Sequence, residues 1–119
     1  MYVDGKWYEL KAKPEICGSK DAVKKLDASI LSDNILGPIL GIDDLRTNKR
    51  VGFVPGVRGM EELKEKVDSG KYKIAFGLFP VGMTELKHIA DTNGIMPPKT
   101  TWVEPKIRSG LVVYSLEED

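Results

Sequence analysis

Between residues 73 and 81 the chain is almost continuously apolar. Ile74, Phe76 and Leu78 alternate with Ala75, Gly77 and Phe79. This pattern predicts a strand covered on both faces, hence a central one. Upstream, Met60, Leu63 and Val67 recur at helical spacing, while Glu61, Glu62, Lys64 and Glu65 fill the other positions. An amphipathic helix is predicted there, opened by Gly59 and closed at Ser69-Gly70. Its Glu61 and Glu65 are a like-charge i,i+4 pair, a minor cost. Val51–Val54 is a short apolar run stopped by Pro55-Gly56. Strand 51–54, helix 59–69 and strand 73–81 together resemble a βαβ unit, whose crossover is right-handed if the strands are parallel neighbours.

The flanking regions carry weaker patterns. Val3 to Leu10, with Trp7 and Tyr8, reads as a strand that starts at Lys6 after an Asp4-Gly5 turn. Lys13-Pro14 ends it, and Pro14 to Lys20 reads as a loop. Ser19 and Asp21 are candidate N-caps for a helix placing Val23, Leu26, Ile30 and Leu31 on its apolar side. Gly37-Pro38 breaks that helix, and Ile39, Leu40 and Ile42 suggest a further short turn. Asp43 to Arg50 is polar and reads as an exposed connection. Thr84 is the expected cap of a last helix carrying Leu86, Ile89 and Ala90, ended by Asn93-Gly94. Pro97 and Pro98 exclude regular helix after it. Trp102-Val103 reads as a short strand ended by Pro105, and Gly110 to Leu116 as the last strand. These elements sum to an α+β (mixed α/β) domain with a mixed sheet of about four or five strands and about three helices.

Composition narrows the function classes. The chain has 119 residues, of which 41% are hydrophobic, which fits one compact domain over residues 1–119. Its 18 Lys+Arg balance 18 Asp+Glu, for a net charge of zero. That argues against nucleic acid as a partner, because phosphate neutralisation needs a basic surplus. The longest apolar stretch, Ile35–Ile42, is interrupted by Gly37, Pro38 and Gly41 and falls far short of the ~20 residues a membrane helix needs. The first residues lack the basic start and apolar run of a signal peptide. With one cysteine, Cys17, a cytoplasmic protein is expected.

The candidate chemistry lies mainly in Met96–Gly110. Lys99, Thr100, Thr101, Glu104, Lys106, Arg108 and Ser109 crowd into a proline-stiffened segment. Cations, hydroxyls and backbone donors released from regular structure are what an anion site requires. The functional reading is a phosphate or carboxylate held by Lys99 with Thr100 or Thr101. The structural one is a rigid connection with its polar residues in water. A second candidate is Arg58, before a helix N-terminus whose N–H groups favour anions. It lacks GxxxxGK[ST] and GxGxxG, so an ordinary strand-to-helix turn is the favoured reading there. His88 has no second histidine or cysteine nearby in sequence to share a metal, and Cys17 has no visible base, so neither is assigned a catalytic role. No metal site is expected.

Three segments carry a family likeness: Leu26-Asp27-Ala28-Ser29-Ile30-Leu31, the run Ile35–Ile42, and Ile95-Met96-Pro97-Pro98-Lys99-Thr100-Thr101-Trp102 continuing through Pro105-Lys106 and Ser109–Val112. Together they resemble the prokaryotic domain-of-unknown-function family 1015, over residues 22–113. The resemblance implies that the chain is the C-terminal domain of a longer protein. The upstream part of such a protein carries a Gly-His-His-Arg-type motif similar to ParB and sulfiredoxin-like domains, a group that includes nucleotide-using enzymes and a free-serine kinase. That motif is absent here. Ser32 stands where the family's first helix is expected to have a histidine, and Val103 stands where an aromatic is expected.

Two functional readings follow. The first is an accessory ligand-binding domain of a multidomain enzyme, in which Lys99, Arg58, Lys106 and Arg108 supply anion contacts and Thr100 a hydrogen bond. This chain alone is expected to show no turnover and to hold no cofactor, with a nucleotide bound, if anywhere, in the longer parent. Its expected partners are the upstream domain and a small anionic ligand. The alternative is a non-catalytic interaction module, with Ile35–Ile42 and Trp102 facing a neighbouring domain or a second copy in a homodimer.

Overall fold

A computed structural model describes residues 1–101. The strands expected at Trp102-Val103 and Gly110–Leu116 lie outside the described residues.

The chain opens with a hairpin. Strand β1 (Tyr2–Val3) turns through Asp4-Gly5 into β2 (Lys6–Trp7), pairing Tyr2 with Trp7 and Val3 with Lys6. Asp4 and Gly5 have φ of 49° and 74°, the two positive values that a type I′ turn requires. The pairing continues one step outward, where Tyr8 N–H donates to the Met1 carbonyl at 2.8 Å and the Met1 amine to the Tyr8 carbonyl at 2.9 Å. The strand expected to begin at Lys6 is therefore only the second arm of a hairpin.

A third strand, β3 (Ile74–Ala75), lies antiparallel to β1, and the sheet order is β2-β1-β3. Three strands replace the expected four or five, all antiparallel among the described residues. Residues 51–54 form no strand, so the βαβ unit is not formed. The predicted central strand 73–81 is instead a two-residue strand, at the edge of the sheet among the described residues. Among those residues only Ile74 and Ala75 find partners, in Val3 and Tyr2. Beyond them Leu78 is exposed and Phe79 is 86% exposed.

Among the described residues four α-helices accompany the sheet. Helix α1 (Pro14–Cys17) is a single turn where a loop was expected. Its Pro14 occupies the first helical position, where a missing N–H costs nothing. Helix α2 (Asp27–Leu31) begins later than its apolar pattern suggests. The Asp21 carboxylate accepts the Val23 and Lys24 N–H groups at 2.8 and 3.3 Å, holding residues 22–25 in a separate turn. α2 then widens into a π-helical turn over Ser32–Leu36, closed by Gly37 N–H on the Ser32 carbonyl at 3.0 Å.

Helices α3 (Gly59–Asp68) and α4 (Met83–Asp91) follow their sequence patterns closely. α3 packs against β1 and β3, half-burying Leu63 and Val67. It ends where Gly70 takes φ 76° and donates to the Val67 carbonyl at 2.9 Å. α4 starts one residue before the expected cap. Gly82, not Thr84, precedes the first turn, and its N–H is bound by the Glu85 carboxylate at 2.8 Å. At the other end Asn93 adopts φ 54°, Asn93 N–H donates to Ala90 and Gly94 N–H to Ile89, which is the paired pattern of a Schellman terminus.

Among the described residues the buried apolar side chains are Tyr2, Leu26, Leu36, Ile42, Ala75 and Ile89. Tyr2 is the polar anchor among them. Its ring lies 4.9 Å from that of Trp7, and its hydroxyl donates to Asp68 at the end of α3 at 2.7 Å. Lys64 holds the other Asp68 oxygen at 3.0 Å. The Tyr2 hydroxyl, then Lys64, hold the Asp68 carboxyl below its ordinary value. A depressed carboxylate contributes stability that is complete above the unfolded pKa, about 3.9, and is lost as pH falls through the lower folded value. Tyr2→Phe removes the largest cause of the shift. Urea midpoints measured from pH 5 down to pH 2 should therefore fall less steeply in Tyr2→Phe than in the parent chain. Equal slopes would show that this bond does not couple folding to protonation.

Candidate ligand-binding cleft

Two neighbouring segments, 24–33 and 43–46, meet the distant Pro97-Pro98 pair around a shallow cleft of about 230 Å³. One wall is the start of the helical region, with Lys24, Ala28, Ser29, Ser32 and Asp33. The opposite wall is Asp43, Asp44, Leu45 and Arg46, and Pro97 with Pro98 closes the end. Residues from 26–31 and from 95–102 thus line the same cleft. Ser32 is on its lining.

Each wall has a local reason for its shape. The connection 43–50 is exposed, as expected, but it is a built turn. Asp44 accepts the Arg46 N–H at 2.8 Å and the Thr47 hydroxyl at 3.0 Å. These two donors, the backbone one first, hold the Asp44 carboxyl below its ordinary value. Arg50 closes the loop behind it by donating to the carbonyls of Leu40 and Gly41. On the far wall, Pro97–Thr100 is a turn whose Lys99 has φ 61°. Thr100 ties it off by donating its hydroxyl to the Pro97 carbonyl at 2.8 Å. A lysine in the left-handed region costs about 1–2 kcal/mol relative to ordinary backbone, so the prolines and the Thr100 bond hold Lys99 where it would not otherwise settle.

The predicted site residues are distributed unevenly. Lys99 is exposed and follows the cleft-lining Pro98 directly. Thr100 is adjacent, with its hydroxyl proton committed to Pro97. Arg58 lines a different groove, with Glu62, Lys66 and Lys71. Its guanidinium sits 3.3 Å from both Glu62 oxygens, and Lys66 reaches Glu62 from the other side at 3.0 Å. The anion at that helix start is therefore the chain's own Glu62, whose carboxyl is held low by Lys66 first and Arg58 after it. Lys106 and Arg108 lie outside the described residues. Lys24, Arg46 and Asp43 were not singled out from sequence. The Asp44-Leu45-Arg46-Thr47 turn chemistry was the available signal for the second wall.

Among the described residues, no group of three or more His, Cys, Asp or Glu side chains is arranged to hold a metal ion, and no helix is long and apolar enough to cross a membrane. Comparison with protein-family profiles, curated proteins and solved structures found no match to this chain.

Proposed function

We propose that this chain is an accessory ligand-binding domain that takes a small phosphorylated or carboxylated molecule in the cleft between α2, the 43–47 turn and the Pro97-Pro98 wall. The observation that carries this reading is Lys99 held at φ 61° directly after Pro98, which lines a cleft together with Lys24 and Arg46. Strained backbone persists only where the surroundings over-determine it, and such strain clusters at binding sites. The resemblance to the family-1015 proteins supports the same reading. It suggests an upstream domain that supplies the chemistry, with any nucleotide bound there.

The test uses Lys99→Gly. Glycine adopts positive φ without strain, so this variant removes the amine and keeps the turn. Thermal unfolding of the parent chain should rise with millimolar phosphate or acetate. Lys99→Gly should unfold at or slightly above the parent temperature without ligand, by up to about 1 kcal/mol of relieved strain, and respond less to either anion. Equal anion responses in both proteins would remove Lys99 from the site. No response in either would sink the binding reading.

The alternative is an interaction module. The exposed apolar side chains favour it at a different place from the one read in sequence. In Ile35–Ile42, Leu36 and Ile42 are buried, leaving Ile39 as the large exposed residue at 70%. Val57, Leu78, Phe79 and Met83 are exposed around α3, β3 and the start of α4. Sedimentation showing a concentration-dependent dimer that Phe79→Lys abolishes would favour this second reading.

A further inference from the structure

The end of α4 makes two demands on the sequence. Residue 93 must accept left-handed backbone. Asn93 does so at φ 54°, and asparagine enters that region at lower cost than most residues. Residue 94 must have no side chain. A Cβ there would stand 2.8 Å from Ile89 Cγ2 and 3.1 Å from Val23 Cγ2. The way this helix stops and packs therefore calls for Asn-Gly.

That dipeptide is chemically labile. Asparagine is among the thermolabile residues, because its side-chain carbonyl carbon is open to attack by the backbone nitrogen of the next residue. Glycine has no side chain to obstruct the approach. The nitrogen gives its proton to solvent base, the N–Cγ bond forms, and ammonia leaves, which closes a succinimide ring. Water then opens the ring at either carbonyl, to aspartate or to isoaspartate. Nothing is oxidised or reduced, and water is the only co-reactant. Asn34 and Asn48 are poorer substrates for this chemistry. Ile35 and Lys49 follow them, and their side chains are engaged, Asn34 donating to the Ile30 carbonyl at 2.8 Å and Asn48 accepting the Arg50 N–H at 3.0 Å.

At residue 94 the fold holds the nucleophile. Gly94 N–H donates to the Ile89 carbonyl at 2.8 Å, and Ile89 is the enclosed side chain of α4, 1% exposed. Asn93 itself is exposed to water and base. We propose that Asn93-Gly94 is a self-modification site kept closed by the terminal bond of α4, converting to aspartate or isoaspartate when that end opens. Conversion then loosens the end irreversibly. Isoaspartate carries the main chain through the former side chain and adds a backbone atom before the Pro97-Pro98 wall. Either acid adds negative charge at a helix C-terminus, where the macrodipole already concentrates it. This inference is independent of what the cleft binds.

The experiment incubates the full 119-residue chain in mildly alkaline buffer, folded in one arm and in guanidinium chloride in the other. Peptide mapping that separates aspartate from isoaspartate follows each asparagine. In denaturant, Asn93 should convert well before Asn34 and Asn48. In the folded chain its rate should be at least about tenfold lower, because a hydrogen bond and the packing around it must open first. Equal rates in the two arms would overturn the protection, and no conversion of Asn93 in denaturant would overturn the site. Converted chain, isolated by anion exchange and refolded, should melt below the parent. Asn93→Asp, which supplies the charge without rerouting the backbone, should melt between the two. Converted chain that melts with the parent would overturn the loosening.

Discussion

Replacing Ile89 with alanine should lower stability by about 3 kcal/mol, a large fraction of what a small domain has. Ile89 is 1% exposed, and it is the one fully enclosed side chain of α4. Its Cγ2 and that of Val23 flank Gly94, so this contact joins α4 to the segment leading into α2. Deleting three carbons there removes transfer energy and leaves a cavity that a buried helix face fills poorly. Ile89→Val, one methyl smaller, should cost about 1 kcal/mol. Urea titration distinguishes this from a change in the unfolded state: the midpoint should fall with the slope unchanged. A loss below about 1 kcal/mol for Ile89→Ala would mean that α4 is not packed on the α2 region.

How much of this was legible depended on the range of the interactions. α3 and α4 were readable because helix signals are local. Met60, Leu63 and Val67 repeat within one element, and Gly70 and Asn93-Gly94 mark its end within a few residues. The Asp4-Gly5 hairpin is local in the same sense. Strand partnership is not. Ile74 and Ala75 pair with Val3 and Tyr2, about seventy residues earlier in the chain, and nothing in the alternation of residues 73–81 tells how many of them will find a partner. The same alternation made residues 77–79 look covered, whereas Phe79 is exposed. Helix α2 was displaced by a competing local bond, since Asp21 caps a turn before the apolar spacing can become a continuous helix. The site divides similarly. Proline, lysine and threonine crowding drew attention to residues 97–100, of which Pro97 and Pro98 line the cleft. That Pro97 and Pro98 would meet Ser32 and the Asp43–Arg46 turn is a tertiary fact with no local trace.

Gly94→Ala should cost about 1–3 kcal/mol and should also disturb the cleft. A methyl group at Gly94 would stand 2.8 Å from Ile89 Cγ2, 3.1 Å from Val23 Cγ2 and 3.2 Å from the Ile89 carbonyl oxygen. The last of these is backbone inside a helix terminus, which cannot rotate away. Relief would require α4 and the Val23 segment to separate, or the Schellman bond from Gly94 N–H to Ile89, 2.8 Å long, to break. Either movement reaches the cleft, because Lys24 follows Val23 on one wall and Pro97 lies three residues past Gly94 on another. Gly56→Ala is the matched control: no atom lies within 4 Å of its added methyl, so its effect should stay within about 0.5 kcal/mol. In ¹⁵N spectra, Gly94→Ala should shift the amides of Ser29, Ser32 and Lys99 while Gly56→Ala leaves them in place. Anion affinity should fall in the first variant and hold in the second. If Gly94→Ala destabilises the chain yet leaves those amides and that affinity unchanged, the Pro97-Pro98 wall is positioned by something other than the α4 terminus. A loss confined to stability would therefore separate the packing of the core from the construction of the cleft, and a joint loss would show that one glycine sets both.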